Sequence, residues 1–551
     1  MSDETYDVVV VGAGSAGAVI AARLSEDPQI QVALLEAGGA TDTIFHRAPM
    51  GMVAILPRAG KFNWGFETVP QPGLNGRRGY QPRGRGLGGS SAINAMAYVR
   101  GHRSDYDDWA AEGNAGWSFD EVLPYFRKAE GNRVHGAPLH GRDGPLKVED
   151  VRSDNAFTQR FIDAGVQAGV PFNPDINGEE QDGVFRFQVN QDHGERCSTA
   201  KAYLAPASDR HNLRVITEAH ATRILIEDGR AVGVEYERDG QRRVARARRE
   251  VVLSAGVFQS PQLLMVSGIG DGAHLQAMGI KPVRHLPGVG RNLQDHIDFV
   301  FVYRCASLDL AGLSLAGGPH LLKQMKRWRQ ERRGFVTTNY AEAGAFLRTQ
   351  PALARPDVQL HFILAMVENH GRKMRLGHGY SAHVCCLRPK SRGEVTLASA
   401  DARQAPVIDP KFLSHPDDLE TLVAGFKRTR TILEQPALAA LAPKNINTAH
   451  VRTDEDIRDV IRSSADSVYH PVGTCRMGAD GDAVVDAQLR VHGIQGLRVA
   501  DASVMPMLIG GNTHAATVMI GEKAADLIQG RVESPARRES YWQGERQAVA
   551  A

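Results

Sequence analysis

No apolar stretch in this sequence approaches the ~20 residues needed to cross a bilayer; the longest runs are strand-sized and broken by glycine or charge. Any membrane contact is therefore expected to be peripheral. Cysteine is scarce: Cys197, Cys305, Cys385, Cys386 and Cys475 are odd in number and show neither the CxxC spacing of a zinc site nor a disulfide framework. A reducing cytoplasm is the expected home, and no metal site is expected. Charge imbalance is missing too, since 65 Lys and Arg against 63 Asp and Glu leave a formal charge of +2. That balance excludes the basic footprint of a nucleic-acid-binding protein. The opening MSDETYDVVVVGAG puts acidic residues where a signal peptide carries positive charge, so export is not expected. No internal repeat is evident.

What is present is an ordinary globular composition, with 42% hydrophobic and 23% charged residues, in a chain of 551 residues. That length is too great for one simple core and suits two intertwined domains. Residues 6–11 are a β-branched run ending in glycine, residues 15–27 read as a helix, and 32–35 as a second strand: a β-α-β unit on a parallel sheet. Residues 40–89 are rich in Gly, Pro and Arg and predict a long extended excursion over the domain surface, of the kind that usually carries function. Strand patterns return at 213–217, 223–227 and 250–253, as if the first domain resumes after an insertion. Between 306 and 464 alternating strands such as 358–363 and 383–387 mix with basic helical segments, which assigns this part to substrate binding. A strand at 497–505 and a helix at 513–528 follow, then a polar tail expected to be loose.

Three motifs carry chemistry. Gly12-Ala13-Gly14-Ser15-Ala16-Gly17 sits between strand and helix, with Glu36 ending the second strand. Gly12 permits the tight turn, Gly14 lets backbone N–H groups approach a pyrophosphate at the helix N-terminus, and Gly17 lets helix and strand pack closely. Glu36 would accept hydrogen bonds from the ribose hydroxyls. The second motif, residues 83–94 (RGRGLGGSSAIN), is a loop of small residues that lets backbone approach a flat ligand, anchored by an apolar, helix-competent stretch at 92–99. The third is C-terminal: residues 468–478 (VYHPVGTCRMG), 497–503 (LRVADAS) and 510–514 (GGNTH). Alone, His470 is one histidine among 20 and Asn512 reads as a helix N-cap.

Taken together with residues 256–270 (GVFQSPQLLMVSGIG) and PGVGRNLQDH, these motifs resemble the glucose-methanol-choline oxidoreductase family from about residue 5 to 528. The segments NWGFETVPQ, VYHPVGTCRMG and IGGNTHAAT are most similar to its choline dehydrogenases and membrane-associated bacterial dehydrogenases of aliphatic alcohols. The resemblance implies an α/β fold in which a Rossmann-like FAD-binding domain on a parallel sheet interleaves with an α+β substrate-binding domain on an antiparallel sheet. The expected segments are 1–305 and 465–530 for FAD and 306–464 for substrate. It implies FAD as cofactor, held by the first glycine motif, Glu36, Ala37, Arg85, Gly88, Gly89, Ser90, Asn94, Ala95, Ala221, Asp501, Asn512 and Thr513. Relatives that bind flavin covalently use a histidine where this chain has Ile93, so the FAD is expected to be non-covalent.

The implied reaction is oxidation of a primary alcohol to the aldehyde. His470 takes the hydroxyl proton as hydride passes to flavin N5, a role for which imidazole has the right intrinsic pKa. Asn512 holds the oxygen, and the positive end of the helix starting near Thr513 faces the reduced flavin. An alkanol, choline and a glycol ether stay open as substrates, with Glu342 a candidate partner for a choline-like cation or else a structural acid. A quinone is the expected electron acceptor, with oxidase, pyridine-nucleotide dehydrogenase and FAD-containing hydroxynitrile lyase as alternatives. Residues 319–333 place Leu321, Met325 and Trp328 on one helical face beside Lys323, Lys326, Arg327, Arg329, Arg332 and Arg333, a pattern that can lie on the cytoplasmic face of a membrane.

Overall fold

The computed structural model describes residues 4–531 except Met374. The first strand, Glu4–Val11, runs through the centre of a seven-stranded sheet, with Val8 to Val11 at most 4% exposed. Such a run has no polar face to offer water, so both sides of the strand must be covered. Val32–Leu35 and then Leu213–Ile216 pair parallel on one flank. On the other lies Gln241–Leu253, a 13-residue strand with two further partners. Its second half takes Leu497–Val499 in parallel, which returns the C-terminal segment to the first domain. Its first half forms an antiparallel ribbon with Arg230–Arg238 and His220–Glu227. Helix His514–Gln529 packs on helix Gly17–Leu24, and both are almost wholly buried.

The second sheet is antiparallel and has eight strands. Its path runs Lys444–Asn445, Ile297–Arg304, Gly377–Cys386, Val358–Ile363, Ala341–Leu347 and Gly183–Arg186, with Gly312–Leu313 and Asp466–Ser467 pairing at its sides. Period two divides its faces. Phe362 stacks on Phe161 of helix Ala156–Gln167, and Phe301 packs on Phe426 of helix Pro416–Leu433, so one face is an aromatic core. His361 and Ile363 point the other way, into a cavity. The sheet takes Gly183–Arg186 and Ile297–Arg304 from before residue 306 and Asp466–Ser467 from after 464, so its strands extend beyond the segment marked out by texture.

Three expectations meet different outcomes. The 92–99 stretch is not a helix: a short turn at Gly89–Ala92 gives way to extended chain, because Met96 is left-handed (φ 58°) and Asn94 Oδ1 accepts its N–H at 3.0 Å. The basic helix is real, at Gly317–Glu331, but its apolar side is already occupied. Trp328 is buried against Ala48 and Val336 with Met325 beside it, and the Trp328 indole donates to Gly194 O. The polar tail lies outside the described residues from 532 onward. No described helix is long and apolar enough to cross a membrane.

Candidate active site

A cavity of about 570 Å³ opens between the two sheets. Gly12, Gly14, Ser15, Ala16, Glu36, Ala37, Gly89, Ser90, Asn94, Ala95, Ala221, His470, Asp501, Asn512 and Thr513 all line it. Three residues expected from the sequence to hold FAD, Gly17, Arg85 and Gly88, do not. A Cβ on Gly17 would lie 1.9 Å from Gly12 O, so Gly17 serves the helix-to-strand contact. Gly88 is left-handed (φ 87°) and shapes the loop, donating its N–H to Ala13 O at 2.7 Å. The Arg85 guanidinium lies over the Trp64 ring at 4.6 Å, so it meets the cavity only through that indole.

The nucleotide end is a cradle of bare backbone. A Cβ on Gly14 would meet nothing within 4 Å, whereas one on Gly89 would come within 2.8 Å of Gly14 Cα. The first glycine leaves space for a ligand and the second lets two loops close around it. Glu36 ties these loops: its carboxylate accepts from Ala13 N, Gly38 N and Gly86 N at 2.8–2.9 Å. Burial raises its pKa, opposed by those three bonds. Ser15 Oγ meets His514 Nδ1 at 3.0 Å, and His514 Nε2 is buried without a partner, facing the cradle. Asp501 accepts from Gly256 N, Ser260 Oγ and Ser503 N, fixing the strand end that reaches the cavity. Ile93 also lines the wall, with no nucleophilic atom to offer.

The other end of the cavity, around His470 and Asn512, is built from separate pieces of chain. His470 follows Tyr469, whose left-handed backbone (φ 72°) turns the loop off the second sheet. Its own N–H is taken by Asp295 Oδ1 at 2.9 Å, and Asp295 Oδ2 receives Ser467 Oγ and Gln81 Nε2. Burial pushes the Asp295 carboxyl up to about 6. Asn512 hangs at the start of helix His514–Gln529, where Asp105 takes the Gly510 N–H at 2.7 Å and Gln181 donates to Gly510 O at 2.9 Å. Gln359 Nε2 donates to Asn512 Oδ1 at 3.2 Å, which fixes the amide with its NH₂ toward His470 Nε2, 3.1 Å away.

These contacts dictate the tautomer of His470. Burial, then His296, His361 and Arg83, hold its pKa well below 6.5, and burial brings His296 down to about 3, so both rings are neutral. Leu387 O can only accept, so His296 Nε2, 3.3 Å away, carries that ring's hydrogen. His296 Nδ1 is then an acceptor, and the 3.0 Å contact to His470 Nδ1 requires the hydrogen on His470. His470 Nε2 is left with a lone pair pointing into the cavity.

His296 and Asp295 were missed as functional residues from sequence, although PGVGRNLQDH contains both. His361, stacked on Phe187, and His383, bonded to Asp298, also line the cavity and carry no sequence signal. Glu342 does not line it. Its carboxylate is buried on strand Ala341–Leu347 and accepts from Ser153 and Thr158 at 2.7 Å, so it is a structural acid held by hydroxyls. All five cysteines are buried, free thiols.

Two models described as GMC oxidoreductase match the chain, over residues 6–298 and 389–521. The chain belongs to this family. It is 44% identical to the "Alcohol dehydrogenase [acceptor]" of Pseudomonas putida, over 96% of each chain. It is 42% identical to the mitochondrial choline dehydrogenase of Homo sapiens, covering 96% of this chain and 91% of that one. Among solved structures a formate oxidase variant from Aspergillus oryzae, studied for its FAD modification, superposes with a TM-score of 0.89 at 28% identity, covering 96% of this chain and 99% of that one. GMC oxidoreductases bind FAD, and the cavity fits it: the open side of Gly14, the unpartnered His514 nitrogen and the helix N-terminus at Thr513 are the backbone and polar surface that a dinucleotide takes up. The protein is an FAD-dependent oxidoreductase acting on CH–OH donors.

Proposed function

We propose that the protein oxidises an uncharged primary alcohol to its aldehyde and passes the electrons to a quinone-type acceptor. The observation that carries this is the lone pair on His470 Nε2, set by His296 and facing the Asn512 amide across 3.1 Å. An alcohol oxygen seated against both atoms, in place of the direct bond between them, donates its proton to His470 Nε2 and accepts from Asn512 Nδ2. Removing that proton as hydride departs avoids a protonated carbonyl, a contribution of ~10²–10⁴-fold. Asn512, clamped by Gln359 and the Gly510 contacts, holds the carbinol carbon in place. FAD, held without a covalent bond by the cradle residues, supplies the hydride acceptor.

The preference for an uncharged substrate rests on the cavity wall. Its only carboxylates among the described residues are Glu36 and Asp501, each engaged by three donors, while Met52, Leu56, Ile363 and Met366 supply apolar surface. Choline should therefore be the poorer substrate despite the names of some relatives. The Pseudomonas putida relative is described as an alcohol dehydrogenase working with an acceptor, and a quinone is the acceptor class we propose for this chain.

The test is anaerobic flavin reduction in the stopped-flow. An alkanol should bleach the flavin, and His470→Ala should slow bleaching by at least the general-base factor while FAD stays bound. Asn512→Ala should cost less. Wild-type bleaching in His470→Ala would sink the base assignment. Absence of bleaching by any alcohol would favour a lyase.

A further inference from the structure

Four leucines that a soluble surface has no reason to display gather beside the cavity. Leu315 is fully exposed, Leu376 and Leu322 are 77% and 70% exposed, and Leu313 is 46% exposed. They share one surface. Leu313 bridges Leu376, strand Gly312–Leu313 packs beside helix Gly317–Glu331, and Leu322 lies on that helix's outward side. The helix's inward side rests on segment 44–50 through Trp328 and Met325, and Met52 and Val53, next in the chain, line the cavity. The cavity edge at Val367 and Gly371 precedes Leu376 on the other side, with Gly371 against Pro57. The leucine surface thus adjoins the cavity mouth.

Charge says what covers it. On the same outward side of the helix Lys323, Lys326 and Arg329 are exposed and have no ion pair among the described residues. The helix's one acid, Glu331, is spent on Arg327. Along the rim, Lys373 and Arg375 share Glu368. A second copy docking through this face would bring these cations against their own images, which disfavours a twofold interface. An anionic bilayer satisfies both halves, taking leucines into the acyl boundary and lysines at the phosphates.

We propose that this surface, centred on Leu313, Leu315, Leu322 and Leu376 and flanked by Lys323, Lys326 and Arg329, docks the enzyme on an anionic lipid surface with the cavity mouth at the interface. An apolar alcohol then enters from the bilayer, where it is concentrated, without crossing water. The docking face is opposite the Trp328 face of the same helix, and it does not depend on the identity of the substrate.

The experiment is co-sedimentation of holoenzyme with vesicles of equal phosphatidylcholine and phosphatidylglycerol, against phosphatidylcholine alone, at low and high salt. Wild type should pellet with the anionic vesicles at low salt and be released by salt. The triple variant Lys323→Glu, Lys326→Glu, Arg329→Glu should bind at least roughly 100-fold more weakly, at about fivefold for each positive charge lost and more for the negative charges gained. The triple variant Leu315→Ser, Leu322→Ser, Leu376→Ser should lose at least tenfold. Both should keep wild-type turnover with a soluble dye acceptor, since none of these residues lines the cavity. Wild type remaining in the supernatant at low salt, or undiminished binding in both variants, would overturn the proposal. So would a dimer without lipid that the leucine variant converts to monomer. Loss of dye turnover in wild type would instead count against the proposed reaction.

Discussion

His296 does not line the cavity, yet in the proposed mechanism its contact with His470 Nδ1 sets which nitrogen of His470 would act as the base. His296→Leu should remove the acceptor for His470 Nδ1–H, free the ring to populate the wrong tautomer, and lower the rate of flavin reduction by about 10–100-fold with FAD retained. His296→Gln should recover most of it, because a glutamine amide can both accept from His470 and donate to Leu387 O. Equal rates in the two variants would show that His296 only fills space. The pH profile follows from the same burial. His470 protonates well below 6.5, so the rate of flavin reduction should stay level as pH falls through 6.5, where an ordinary imidazole would lose it. Asp295 acts on stability. Its folded pKa of about 6 exceeds the ordinary 3.8, so between those values the folded chain keeps a proton that the unfolded chain has released. Its contribution is therefore full below pH 4 and lost as pH rises to 6, worth about 3 kcal/mol. Melting temperatures of wild type and Asp295→Asn across pH 4–7 should show a downward slope in wild type that the variant lacks.

At the scale of elements, the strand-turn-helix unit uses identical residues for different physical purposes. Gly14→Ala places a methyl in the open cradle, while Gly17→Ala drives one into Gly12 O at 1.9 Å. The first should fold with a near-normal melting temperature and release FAD readily. The second should lose several kcal/mol of stability, because backbone cannot give way. A Gly14→Ala protein that kept FAD as tightly as wild type would show that the cradle is not the cofactor's seat. The loop before the last helix is held in a comparable way by Asp105, which takes Gly510 N while paired to Arg355 and Arg388. Removing that carboxylate takes the partner from Arg388, leaves Arg355 to Asp108 alone and unlocks Asn512.

At the scale of the molecule, the cavity lies between a parallel sheet that holds nucleotide and an antiparallel sheet that meets substrate. Because Ile93 offers no nucleophile where it lines this cavity, acid precipitation should leave the yellow colour in the supernatant. Colour in the washed pellet would refute non-covalent binding. Turnover with an alkanol should be much faster with a soluble quinone than with oxygen, followed as peroxide, and faster than turnover with choline. Peroxide release at the quinone rate would make the protein an oxidase.

The sequence alone determined what depends on neighbours along the chain. The run at 8–11 has no polar face, and a turn between strand and helix that ends in Gly12 and Gly14 admits few other conformations, so strand, helix and cradle were legible. Strand 358–363 was legible from its alternation, and His470 and Asn512 from their motifs. What the sequence could not determine were meetings between distant segments. His296 reaches His470 across 174 positions and Asp105 reaches Gly510 across 405, and neither contact leaves a periodicity to read. Tertiary structure also decided local readings: one left-handed residue at Met96 replaced a helix, and of the two readings open for Glu342 the hydroxyls of Ser153 and Thr158 selected the structural acid. The basic helix is amphipathic on both readings, but only packing says which apolar residues remain outside. Trp328 went inward because its indole found Gly194 O and a pocket beside Ala48, leaving Leu322 and its neighbours on the surface.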